Sequence, residues 1–137
     1  MTKTRKNYLT SFLILLVWLP WLHSGCSPQI TPQEAKVLVT LDEIRRGMEA
    51  NINFDQFGQL LVTAKSEIDT LTQKKQPNLC FQRAVERSYA SYEIAQKAWK
   101  KKLEEKDEAK LVDMEMALSF SLSFSAINLE KATKCYE

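Results

Sequence analysis

No glycine or proline occurs after Pro77, so from Asn78 to Glu137 nothing in the local sequence forbids a single uninterrupted helix. The chain of 137 residues holds only 3 Gly and 4 Pro in all, too few for the turns that an all-β sandwich or barrel requires. The fold class is therefore all-α, and the length allows one compact domain. A continuous C-terminal helix would hold Cys80 and Cys135 about 80 Å apart at 1.5 Å per residue. The stretch from Lys97 to Lys110, however, is charged at 10 of its 14 positions, a composition suited to a solvated tip. A turn at Lys106–Asp107, with Asp107 as helix cap, places the two cysteines about 27 residues away on opposite arms of a hairpin. At that placement they lie at one height and within bridging reach.

The first half of the chain supplies the other hairpin. Thr31-Pro32-Gln33-Glu34 is a capping box with proline at the first helical position, and Val37, Leu41, Ile44 and Met48 follow at spacings of 4, 3 and 4. Asn51 tolerates the left-handed conformation that closes helices, although Arg45-Arg46-Gly47 offers an earlier end. Asn53-Phe54-Asp55-Gln56 opens a second capping box, with Ile52 and Phe57 where a hydrophobic staple belongs. The second helix then carries Phe54, Phe57, Leu61, Ala64, Ile68 and Leu71 as an unbroken heptad seam that stops before Gln73-Lys74-Lys75-Gln76-Pro77. Asn78 can cap a third helix with Phe81, Val85, Tyr92, Ala95 and Trp99 in its stripe and Ser88 in the seam. The expected architecture is an antiparallel four-helix bundle over residues 32–136, built of two helical hairpins, the second longer and tied by a Cys80–Cys135 disulfide.

The fourth helix holds a conflict. Leu118-Ser119-Phe120-Ser121-Leu122-Ser123-Phe124-Ser125 alternates like a half-buried strand, but nothing else in the chain reads as a strand to pair with it. Taken as helix, it carries Leu111, Met114, Leu118, Leu122 and Leu129 on one face and Met116, Ala117, Phe120, Phe124 and Ile127 on a nearly opposite one. Two accounts fit: the helix sits most deeply in the bundle, or Phe120, Phe124 and Ile127 form an exposed surface for a protein partner or for self-association.

The N-terminus reads as an export signal. Lys3, Arg5 and Lys6 precede a run from Phe12 to Leu22 that is apolar except for Pro20, shorter than a membrane-spanning helix requires. The run ends Leu22-His23-Ser24-Gly25-Cys26, which resembles the lipobox of bacterial lipoprotein precursors, with His23 where leucine is usual. The resemblance implies a signal peptide over residues 1–25, diacylglycerol on Cys26, a tether over residues 26–31, and membrane attachment facing the periplasm or cell surface. Ordinary small-x-small cleavage near Ser24 and Cys26 would instead give a soluble secreted form. Lipid on Cys26 leaves Cys80 and Cys135 as an even pair in an oxidising compartment, where a disulfide forms and persists.

The remaining residues limit the chemistry. The single histidine, His23, lies within the signal segment, so the mature chain offers no imidazole for acid–base work or metal ligation, and with the cysteines assigned no nucleophile or zinc constellation remains. The expectation is a non-enzymatic protein with no metal and no cofactor. Carboxylate pairs such as Glu104-Glu105 lack the loop ligands of a calcium site. Without residues 1–25 the 19 basic residues fall to 16, because Lys3, Arg5 and Lys6 are lost, against 17 acidic ones. That balance argues against nucleic acid as a partner. Tyr89, Tyr92 and Trp99 resemble the lining of a small-molecule pocket, which makes a ligand-binding or sensing bundle the alternative, although aromatics at helical spacing are commonly core.

Overall fold

The structure is a computed structural model and describes residues 29–73 and 78–137. The segment read as a signal peptide, Cys26 and residues 74–77 lie outside the described residues. The chain forms α1 (Pro32–Glu49), α2 (Phe54–Thr72), α3 (Leu79–Glu104) and α4 (Glu108–Thr133), followed by a short 3-10 turn at Lys134–Tyr136. No strand occurs among the described residues.

Each helix starts where its side chains can satisfy the first free amides. The Thr31 Oγ1 accepts from the Glu34 amide at 3.3 Å while the Glu34 carboxylate accepts from the Thr31 amide at 2.8 Å. Asn53 and Gln56 repeat the reciprocal pair at 2.9 and 3.0 Å. Asn78 accepts from the Phe81 amide at 3.2 Å, and Asp107 from the Ala109 amide at 3.0 Å. Between α1 and α2 the chain reverses through Asn51, whose φ is 58°, so α1 runs past Gly47. Gly47 serves packing there: a Cβ would come within 2.9 Å of the Ile52 Cδ1 that staples the turn.

The core lies between the two hairpins. Val37, Leu41 and Ile44 from α1, Phe57, Leu61, Ala64, Ile68 and Leu71 from α2, and Phe81, Val85, Tyr92 and Ala95 from α3 are all buried. The Phe57 ring packs on Tyr92 at 6.3 Å and on Trp99 at 5.6 Å, and Phe54 meets Trp99 edge-on at 5.7 Å. The Cys80–Cys135 disulfide is present, with Cα atoms 5.8 Å apart. It ties the first turn of α3 to the residues after α4, where the Tyr136 ring lies 5.7 Å from Phe81. Helices α3 and α4, at 26 residues each, outrun α1 and α2 at 18 and 19, so their charged tip overhangs the first hairpin.

One expectation is corrected. Helix α4 does not sit most deeply in the bundle; only Ser121, Ser125, Asn128, Leu129 and Ala132 are buried on it. Its leucine face is half-buried at Leu111, Leu118 and Leu122, and its phenylalanine face is exposed. The cause is the way α4 meets α3, through small residues: Ala84, Ser88, Ser91 and Ala95 on one side, Ser121, Ser125 and Ala132 on the other. Small side chains let the two backbones approach, so the larger ones on α4 are left at the flanks and outside.

Candidate contact surface

Serines every second residue are what turn the phenylalanines outward. In a helix Ser121 and Ser125 are four apart and share a face, and here that face is the seam with α3. Ser88 Oγ donates to the Ser125 carbonyl at 3.1 Å and lies 2.8 Å from Ser125 Oγ, both side chains being fully enclosed. The Ser121 hydroxyl donates to the Ala117 carbonyl at 2.8 Å, Ser91 to Arg87 at 2.9 Å, and the Asn128 amide to Phe124 at 2.9 Å. Every one of these buried polar groups is satisfied, so the seam is stable without large apolar side chains. At the upper end Lys102 and Glu115 pair across it at 2.5 Å.

With the serine face fixed inward, Phe120, Phe124 and Ile127 point to solvent, together with Met116 and Val112 above them. Phe120 is 72% exposed, Met116 59%, Phe124 49% and Ile127 46%. The Phe120 and Phe124 rings stack on each other at 6.0 Å with an interplanar angle of 26°, giving a flat apolar platform. Isolated exposed apolar residues such as Val62 and Val39 are ordinary, but a continuous stripe along four turns of one helix is not. The arrangement offers no chemistry; it offers area for another apolar surface. All three residues picked from the sequence as a partner surface thus lie together on one exposed face.

The aromatic residues weighed as a pocket are placed differently. Tyr92 is fully buried and its ring, with Phe54, Phe57 and Trp99, fills the space between α2 and α3. Burial raises the Tyr92 hydroxyl above its ordinary pKa. Burial first, and then the Glu93 carboxylate, push the half-buried Tyr89 up to about 12. A groove of about 450 Å³ between α1 and α4 is lined by Leu38, Val39, Asp42, Arg45 and Leu129 among others, and no aromatic residue faces it. Burial raises the Asp42 carboxyl, but hydrogen bonds and charge from Arg45 and Arg46 outweigh it and hold the group below its ordinary value.

Sequence reasoning missed a second groove, about 490 Å³, beside the disulfide on the outer side of the α3–α4 seam. Arg83, Arg87, Lys131 and Lys134 line it, and only Lys134 has a carboxylate partner among the described residues, Glu130 at 2.6 Å. The two arginines and the two lysines are 44 residues apart in sequence at their nearest, Arg87 to Lys131, so only the disulfide-tied hairpin brings them together. The groove lies at the end of the bundle where α1 begins: Gln33 and Lys36 near the start of α1 bond Glu67 near the end of α2, and the groove is lined by Cys80 at the start of α3.

Among the described residues no helix is long and apolar enough to cross a membrane, and no group of three or more His, Cys, Asp or Glu side chains could hold a metal. No family model, curated protein or solved structure matches the chain.

Proposed function

We propose that this protein is an exported, non-enzymatic interaction module of the bacterial cell envelope, held to a membrane through lipid on Cys26 and making its protein contacts through the outer face of α4. The observation that carries the reading is the exposed stripe Met116, Phe120, Phe124 and Ile127 on a bundle whose core is already complete without it. Leaving that much apolar surface in water costs roughly 25 cal/mol per Å², so a surface of this kind on a folded domain is expected to be covered in use. The basic groove beside the disulfide suits an anionic lipid surface, which fits attachment through Cys26. Against the alternative of a ligand-binding bundle stands the packing of Tyr92 and Trp99, two of the three aromatic residues that would line its pocket, on Phe57.

The test is Phe124→Asp in the exported protein. Phe124 contributes nothing to the core, so the melting temperature is expected to hold within the small range of surface changes while chemical cross-links from the protein in intact envelopes disappear. Unchanged cross-links would refute the assigned surface. For the anchor, Cys26→Ala is expected to move the protein from the membrane to the soluble fraction, and an unchanged membrane fraction would remove the lipid from the account.

A further inference from the structure

The outer face of α4 carries more order than exposure alone. Asp113, Ala117, Phe120, Phe124, Ile127 and Lys131 follow one another at spacings of 4, 3, 4, 3 and 4, the heptad seam of a coiled coil, and all six are exposed. They run over about 27 Å of helix, on an exposed face flanking the buried Ser121, Ser125 and Asn128 that meet α3. The four apolar residues lie in the middle, an acid stands at one end and a base at the other. Neither Asp113 nor Lys131 has a hydrogen-bond or ion-pair partner for its side chain among the described residues.

From this pattern we infer that the occupant of the surface is a second copy of the chain, its α4 packed antiparallel across a two-fold axis at the level of position 122. The inference rests on the reading of α4 as the contact surface and adds the partner and the register. An antiparallel two-fold pair joins positions equidistant from the axis. Asp113 then meets Lys131 of the second copy, Ala117 meets Ile127, and Phe120 meets Phe124. Each layer is complementary: acid with base, small with large, ring with ring. In heptad terms each layer joins an a position to a d position, the pairing proper to antiparallel helices.

The charge of the whole helix supports the same orientation. The first two turns of α4 and its cap carry Asp107, Glu108, Asp113 and Glu115 against Lys110, while the last turns carry Lys131 and Lys134 against Glu130. A parallel pairing would set like ends together; the antiparallel one sets the acidic half of each helix beside the basic half of the other and opposes the helix dipoles. The stacked Phe120 and Phe124 of one copy would meet the same stacked pair of the other, making a four-ring cluster about the axis. Beyond the seam Lys110 falls opposite Lys134 of the second copy, but Lys110 lies near Glu105 and Asp107 and Lys134 pairs with Glu130 within each chain.

Charge reversal provides the test. The exported protein is purified in non-denaturing detergent and its association followed by sedimentation velocity over a concentration series. The wild type is expected to form dimers. Asp113→Lys and Lys131→Asp alone each turn two attractive contacts per dimer into two repulsive ones and should weaken association roughly tenfold, from the magnitude of exposed ion pairs. Mixed in equal amounts, the two variants regain both attractive pairs and should dimerise with each other at wild-type strength. A wild type that stays monomeric, or a mixture no tighter than the single variants, overturns the inference. If the wild type is monomeric while Phe124→Asp still abolishes cross-links in the envelope, the surface serves a different protein and only the self-pairing falls; if Phe124→Asp leaves both unchanged, the surface itself is wrong.

Discussion

Removing the disulfide by the double substitution Cys80→Ala, Cys135→Ala should cost this fold a large part of its stability. The bridge spans a sequence separation of 55 residues, and closing a loop of that size removes unfolded-chain entropy worth about 4 kcal/mol. For a domain of this length each kcal/mol lowers the melting temperature by about 4–8 °C, so a loss of roughly 15–30 °C is expected. The location adds to the effect. Cys135 holds the 3-10 turn that lays Tyr136 on Phe81, and Phe81 is fully buried, so release of the turn also opens one end of the core. The α3–α4 seam that remains is made of small residues and contributes little apolar burial to hold the hairpin closed. Urea denaturation followed by far-UV circular dichroism, with the reduced wild type as a second route to the same state, measures the loss directly. A cost under about 1 kcal/mol by both routes would refute the reasoning, because it would mean the unfolded chain already keeps α3 and α4 together.

The Ser88–Ser125 pair gives a sharper local test: Ser88→Ala should cost about 1–2 kcal/mol by taking the partner from the buried Ser125 hydroxyl, Ser125→Ala less because Ser88 keeps the Ser125 carbonyl, and the double change less than their sum, by about 1 kcal/mol in a double-mutant cycle. Strictly additive costs would mean the hydroxyls do not act on each other. Alkaline pH should unfold the protein: the Tyr89, Tyr92 and Tyr136 hydroxyls all have folded pKa values raised above 10.0, so their contribution is complete below pH 10 and is lost as the pH rises through 10 towards about 12. Melting temperatures taken across that window should fall, Tyr89→Phe should fall less steeply, and a flat profile would contradict the burial assigned to these rings. On the acid side Asp42, held down by Arg45 and Arg46, contributes above its ordinary value of 3.8 and ceases to as the pH drops below it.

Much of this fold is legible in the residues because local and tertiary signals agree. Thr31, Asn53, Asn78 and Asp107 announce four helix starts by side-chain chemistry alone, and each cap is realised. With no Gly or Pro there, the α3–α4 turn was marked only by the charged stretch and the Asp107 cap, and the cysteine pair decided it. The depth of α4 was not legible. Its two apolar faces are equally strong as patterns, and which one turns inward depends on the serines between them, read as spacers when they are the packing surface. The signal in principle was there: Ser121 and Ser125 at a spacing of four, facing a helix with Ala84, Ser88, Ser91 and Ala95 at like spacing. The basic groove needed the tertiary fold, since Arg83 and Arg87 on α3, Lys131 on α4 and Lys134 just after it are unremarkable in sequence.

The central claim is that the phenylalanine face of α4 is covered in the envelope and bare in the isolated domain. Hydroxyl-radical footprinting with mass-spectrometric readout, on intact cells and on the purified protein diluted to the monomer, measures this residue by residue. Met116, Phe120 and Phe124 should be modified readily in the monomer and protected in cells, with the buried Tyr92 unreactive in both as the internal standard. Equal modification of Met116, Phe120 and Phe124 in the two states would contradict the claim.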